Sequence, residues 1–244
     1  MIIVNADDFG RTCAETDLTV ACYAAGRITS TTAMVFMQDS ERAAEVSDGL
    51  GMDVGLHLNL SQPFTLPGIE ARLQQSHERV VRFLTTSKYA RLVYNPFLRQ
   101  QFRRVIDAQI EEFARLFGRQ PSHVDGHHHQ HLCANVLIDK LIPAQRRIRR
   151  SFSFWPGEKS RFNRGYRAVV DRALARSYTM ADFLFSLEEC LSNDRMSRVF
   201  QLAVTATVEL MAHPINSIEY AYLMSDEYRD NLRQLQVGTY SAVR

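Results

Sequence analysis

Short β-rich runs alternate with helical patterns along this whole chain, and that alternation restricts the fold more than any other feature. The β-rich runs are "MIIVNA", "ITSTTAMVF", "MDVGLHLNL", "SHVDG", "IRRSFSF", "ADFLFSL" and "TVELMA". Between them, "AETDLTVACYAAG" reads as a helix closing at Gly26, and "SERAAEVSD" as another. A polar stretch from Ser61 to about Arg119 contains a long helix, "RQQFRRVIDAQIEEFARLFG". Its apolar positions Phe102, Val105, Ile106, Ile110, Phe113, Leu116 and Phe117 follow the 3.6-residue period. "ANVLIDKLIPAQRR" is helix-like but interrupted by Pro143, and "SDEYRDNLRQLQ" is a last helix capped by Ser225. Repeated βαβ units predict an α/β fold with a parallel sheet. A closed (β/α) barrel takes ~250 residues, so residues 1–244 are expected to form a single domain, a (β/α) barrel that is irregular or seven-stranded. An open doubly wound sheet is the alternative. No glycine-rich phosphate loop follows any β-run, which speaks against a nucleotide fold.

The chain is long enough for a sizeable core, and 45% hydrophobic residues can fill it. Its 29 basic and 27 acidic side chains leave a net charge of +2, which calls for neither nucleic acid nor an anionic membrane. The densest basic run, Arg146, Arg147, Arg149 and Arg150, reads as a solvated helix end, with a phosphate site as the alternative. Cys13, Cys22, Cys133 and Cys190 are scattered without a CxxC pair, so they form neither a zinc knuckle nor a disulfide framework. The opening "MIIVNADDFG" has no basic region and no long apolar stretch, and no signal peptide or membrane span is expected. A reducing cytoplasm is the expected compartment.

Four β-runs finish in an ionisable or metal-binding group: Asp7 and Asp8 after "MIIVNA", His57 in "MDVGLHL", Asp125 and His127 after "SHV", and His213 after "TVELMA". In a parallel architecture all strand C-termini lie on one rim, so these residues converge although they are far apart in sequence. Read alone, Asp7 and Asp8 suit a helix N-cap. Read with histidines at other strand ends, a carboxylate and two imidazoles would leave open positions on a divalent metal, and a second aspartate would serve as base toward its water.

Residues 123 to 131, "HVDGHHHQH", hold five of the eight histidines. In an extended chain, alternate residues 123 to 131 share one face; in a helix starting after Gly126, His127 and His131 lie one turn apart. Either way not all five can bind one ion. His127 is the expected ligand and Asp125 the acceptor that orients a ligating ring. His129 is expected to orient or touch substrate, the roles of His123, His128 and His131 stay open, and His77 sits in a polar helical stretch with no expected role. Trp155 is the only tryptophan, turned by Pro156 and Gly157; it is expected either in the core or as a flat face for a pyranose ring, with Arg161 beside it.

"IVNADDFG", "ITSTTAMV", "VGLHLNL", "LFGRQPSHVDGHHHQHL", "ELMAHP" and the terminal "VGTYSAV" resemble the YdjC-like carbohydrate deacetylases, in order over nearly the whole chain. The resemblance implies a barrel related to the NodB-type polysaccharide deacetylases. It also implies one divalent metal held by Asp8, His57 and His127, with Asp7 as general base and His213 as general acid. Magnesium or zinc is the implied ion, with cobalt and nickel also compatible. The implied reaction is hydrolysis of an N-acetyl group from an acetylated amino sugar or oligosaccharide. The expected partner is that small carbohydrate, with no nucleic acid and a homodimer allowed. The alternatives are another metallohydrolase, a phosphoesterase or glycosidase, or a catalytically dead sugar- or metal-binding protein. Adjacent Asp7 and Asp8 do not suit a glycosidase, whose two carboxylates must flank the bond.

Overall fold

The computed structural model describes residues 1–144 and 146–243. Six parallel strands form one sheet: β1 (Ile2–Phe9), β2 (Ser30–Ala33), β3 (Asp53–Leu58), β4 (Val124–Gly126), β5 (Phe183–Ser186) and β6 (Val208–Ala212). Their order is β4-β3-β2-β1-β6-β5. The helices are α1 (Cys13–Ala24), α2 (Ser40–Leu50), α3 (Ala71–Thr85), α4 (Arg99–Phe117), α5 (Ala134–Ile138), α6 (Arg161–Leu174), α7 (Leu187–Ser192), α8 (Met196–Thr205), α9 (Ser217–Leu223) and α10 (Asp226–Leu232). The α/β class and the parallel sheet agree with the sequence. Ser225 caps α10 by accepting from the Tyr228 amide at 3.1 Å.

The expected closed barrel is corrected: the sheet is curled and only partly closed. The fifth of the seven β-runs, "IRRSFSF", is not a strand. It touches the two edge strands through a few amides only. Arg149 N donates to Val124 O at 3.0 Å on the β4 side, and Ser153 N donates to Leu184 O at 2.9 Å on the β5 side. This stave cannot run as a regular strand because β4 ends after three residues, where the chain turns away at Gly126.

Strand alternation sorts the two faces of the sheet. Ile2, Val4, Ala6, Val208, Leu210 and Ala212 pack outward with Cys22, Val199 and Leu223 into one apolar cluster. Val54, Leu56, Leu58 and Val124 pack outward with Val80, Phe102, Val105, Ile106 and Phe113 into another. The expected apolar stripe of α4 therefore faces the core. The other face is polar: Asn5, Asp7, Thr32, His57, His123, Asp125 and Glu209 are all buried there. Two glycines make room for histidine rings. A Cβ at Gly55 would lie 2.5 Å from the His123 ring, and one at Gly126 would lie 3.1 Å from His131 Nδ1.

The C-terminal segment closes the end of the sheet where the strands begin. Gly238 N donates to Ile2 O at 3.0 Å, Tyr240 N to Asp53 Oδ2 at 3.1 Å, and Ser241 Oγ to Asp53 Oδ1 at 2.6 Å.

His77, for which no role was expected, is fully buried on α3. Its Nε2 donates to Asn59 O at 3.0 Å and its ring stacks on Phe64 at 3.6 Å. Burial lowers its pKa to about 4. The unfolded chain therefore takes up a proton between the ordinary value of 6.5 and about 4 that the folded chain refuses, so stability is lost as the pH falls through that window. At ~1.4 kcal/mol per pKa unit, this one ring costs roughly 3 kcal/mol at pH 4. His77→Gln keeps a donor for Asn59 and should flatten the stability-versus-pH slope by about one proton. Urea unfolding from pH 7 to pH 4 measures it, and an unchanged slope would contradict the assignment.

Candidate metal centre

Asp8, His57 and His127 meet at the C-terminal ends of β1, β3 and β4. In a regular strand Asp7 and Asp8 would face opposite sides. Here the β1–β2 register shifts between Ala6 and Phe9, and Asp8 takes the left-handed conformation with φ 65°. The bulge turns both carboxylates into one site. Neither is a helix N-cap: Thr12 caps α1, accepting from the Glu15 amide.

Asp8 Oδ1 lies 3.2 Å from His57 Nε2 and 2.9 Å from His127 Nδ1. His57 pairs across the strands with Asp125, whose Oδ1 holds His57 Nδ1 at 2.7 Å. With the proton fixed on Nδ1, the Nε2 of a neutral His57 turns its lone pair toward Asp8. Asp8 Oδ1 and His127 Nε2 are buried without a hydrogen-bond partner. One carboxylate oxygen and two imidazole nitrogens, buried and converging, are a donor set that fits a divalent cation. Burial works against charge on His57, but Asp125, Asp7 and Asp8 outweigh it and hold its pKa up at about 10. Burial likewise opposes ionisation of Asp8, yet the His127 and His57 rings keep it well below the usual carboxylate range. A bound cation would displace the His57 proton and take over its countercharge.

A second trio, Asp7, His57 and Asp125, also lies within ligand distance. It already holds a cation, the Arg149 guanidinium. Arg149 is fully buried and grips Asp7 at 2.6 and 2.7 Å, Asp125 at 2.7 Å and Glu209 at 2.7 Å. The reading of residues 146 to 150 as a solvated helix end is therefore corrected. Arg149 is the central countercharge of the interior, Arg150 pairs with Asp171 at 2.8 Å, and Arg147 donates to Ser241 O and Val243 O at 2.9 Å. Asp7 also accepts from Asn5 Nδ2 at 2.9 Å. Burial opposes its charge, but Arg149 overrides burial and keeps Asp7 ionised far below the usual range. Burial pushes Glu209 up to about 7 against the pull of Arg149.

The histidine stretch is extended only as far as Gly126. It then enters a tight 3-10 turn in which His128 (φ 53°) and His129 (φ 56°) are both left-handed, so neither regular conformation expected from sequence holds throughout. This strained turn separates the five rings. His127 reaches Asp8. His128 is exposed and lies 3.0 Å from Ser61 Oγ. His129 packs on Phe152 with its Nδ1 buried and unpartnered. His131 Nε2 donates to Arg149 O at 3.0 Å, and His123 lies below, stacked on Tyr240.

His213 follows β6, with its side chain 31% exposed. Its backbone N donates to Glu219 Oε2 at 2.8 Å, and its Nδ1 lies 3.7 Å from Glu219 Oε1. Burial disfavours a proton on this ring, but Glu219, Asp7 and Asp8 raise its pKa above the ordinary value. Trp155 and Arg161 are not brought to this cluster. Trp155 stacks at 4.5 Å on Phe185, which packs in the outer apolar layer, with Arg195 and Arg198 over the indole. Arg161 is exposed at the start of α6.

Arg149, Glu209, Tyr240, Thr32 and Glu219 were missed from sequence. The available signal was the number of acids inside β-runs: Asp7, Asp125 and Glu209 in one buried face require a cation.

A curled parallel α/β sheet carries, at its strand ends, a buried Asp–His–His cluster that could hold a metal ion. The chain belongs to the YdjC-like protein family, whose model matches residues 1–234. It is 30% identical over 226 residues to a chitooligosaccharide deacetylase of Enterobacter sp. (strain 638), covering 88% of this chain and 81% of that one. It is 31% identical over 241 residues to a carbohydrate deacetylase of Mus musculus, covering 87% and 77%. A chitooligosaccharide deacetylase of Serratia marcescens aligns over a shorter stretch, 31% identical over 148 residues, 59% of this chain and 56% of that one. Among solved structures, a putative cellobiose-phosphate cleavage protein of Enterococcus faecalis V583 shares the fold, with a TM-score of 0.67, 20% identity, and coverage of 99% and 97%. Among the described residues no helix is long and apolar enough to cross a membrane.

Proposed function

We propose that this chain is a metal-dependent carbohydrate deacetylase that hydrolyses the N-acetyl group of an acetylated amino sugar or oligosaccharide and releases acetate. The observation that carries the proposal is the buried cluster of Asp8, His57 and His127, with Asp7 beside it and His213 at the end of β6. Membership of the YdjC-like family and the names of the two relatives aligned over most of their length support the substrate class.

Asp8, His57 and His127 would hold one divalent ion. Bound there, it would supply Lewis-acid polarisation of the acetyl carbonyl and acidify a water. One oxygen and two nitrogens suit zinc better than magnesium, with cobalt and nickel also fitting. Asp7, ionised and held by Arg149, would take the proton from the attacking water. Asp125 would fix the His57 ring. His213, whose pKa Glu219, Asp7 and Asp8 raise against burial, would give its proton to the departing amine. The bulge at Asp8 would matter to this chemistry by setting ligand and base side by side.

A screen of acetylated amino sugars and their oligomers with added zinc, cobalt, nickel or magnesium tests the reading by acetate release. Asp8→Ala, His57→Ala and His127→Ala should each lose bound metal and acetate release while remaining folded. Full metal content in all three would remove the ligand assignment, and no acetate from any sugar in the screen would remove the activity.

A further inference from the structure

The terminal "VGTYSAV" crosses the end of the sheet opposite the metal centre, and no step above uses it. Yet a continuous set of contacts runs from it to the site. Tyr240 is fully buried with its ring stacked on His123 at 3.5 Å, and its hydroxyl donates to Glu209 Oε2. Glu209 Oε1 accepts Arg149 Nε at 2.7 Å. The two Nη atoms of Arg149 hold both oxygens of Asp7, and one of them also holds Asp125, which orients His57.

We propose that Tyr240 is a positioning residue for the metal centre, acting through Glu209 and Arg149 to fix Asp7 and the His57 ring. The terminal torsion of a glutamate is broad, so Glu209 has no preferred carboxylate plane of its own. The Tyr240 hydroxyl selects that plane, and the plane fixes the Nε edge of the guanidinium. A guanidinium is rigid, so a turn at Nε is carried to both Nη atoms. Tyr240, Glu209, Arg149, Asp125, Asp7 and His57 are each at most 4% exposed, so bulk water cannot replace a lost hydrogen bond. Tyr240 is in this sense part of the active machinery although it lies at the far end of the strands.

The inference rests on the reading that Asp8, His57 and His127 bind a metal. Tyr240→Phe keeps the ring on His123 and removes only the hydroxyl. It should bind Zn2+ about tenfold more weakly in competition with a chromophoric chelator, the lower end for groups that orient a ligand. It should also alter the visible spectrum of the Co2+ form and lower kcat with KM unchanged. Glu209→Gln should show the same weakening, and it carries the test if Tyr240→Phe does not fold. Ser241→Ala loosens the same segment at Asp53 without touching the relay. It should lower Tm and leave Zn2+ affinity at the wild-type value; affinity lost there as well would assign the effect to the segment as a whole and overturn the specific role of Tyr240. Wild-type Zn2+ affinity and kcat in folded Tyr240→Phe and Glu209→Gln would overturn this inference alone. A wild-type protein that binds none of Zn2+, Co2+, Ni2+ and Mg2+ would overturn the reading of the site and this inference with it.

Discussion

Arg149→Met should be among the most damaging single substitutions in this protein, lowering stability by about 3–5 kcal/mol at pH 7. The arginine has no exposed surface and balances Asp7, Asp125 and Glu209 at 2.6 to 2.7 Å. Methionine fills a similar volume, so the loss is of charge rather than packing. It leaves three carboxylates facing one another in a buried interior. Typical domains are stable by only ~5–15 kcal/mol, so the change removes a large share of the total. The sign with pH follows: the orphaned acids are relieved by taking up protons, so the deficit relative to wild type shrinks as the pH is lowered. Arg149→Lys should fall between the two, because one ammonium cannot serve three carboxylates in a fixed fork. Urea unfolding at pH 7 and pH 5 measures both effects. A Met variant within about 1 kcal/mol of wild type would show that the interior charges are neutralised in another way, since changes of that size are ordinary for a point substitution.

Asp7→Asn should lose turnover on the order of 10²–10⁴-fold while retaining its metal. Asparagine keeps the shape and one acceptor for Arg149, but it cannot take a proton from water. Because its amide NH2 also faces the guanidinium, some loss of stability accompanies the change. That loss is separable, since it appears in Tm and not in kcat measured well below the melting temperature. Metal content near wild type with collapsed kcat is the expected pair of results. Turnover within a few-fold of wild type would place the base elsewhere, with Glu209 excluded by its position beside Tyr240.

Much of this site was legible in the sequence because parallel strands deliver their C-terminal residues to one rim. Asp7, Asp8, His57, Asp125 and His213 could be placed from strand ends alone. The rest depended on structure that a linear pattern does not carry. The Asp8 bulge has no strong sequence mark, so "ADD" reads as alternation rather than as two acids on one side. Arg149 was hidden among four arginines whose ordinary place is the surface. Its own segment was recognisable as β-like, but nothing local shows that the stave closes a gap and therefore points an arginine inward. Trp155 had two expected places, and its stacking on Phe185 of β5 fits the core one. Closure of the barrel failed for a local reason: β4 is too short to support a regular seventh strand.

The partly closed sheet has a consequence for how the molecule comes apart. β1 and β2 are bonded along both sides, whereas residues 147–153 hold to their neighbours through a few isolated amides. Native-state opening of lowest free energy should begin along this seam, and its amides should exchange with solvent before those of the central strands. Arg149 rides on the seam. The first excursion from the native state therefore withdraws the positive charge that lets ionised Asp7 and Asp125 sit side by side, and catalysis should fail before the sheet melts.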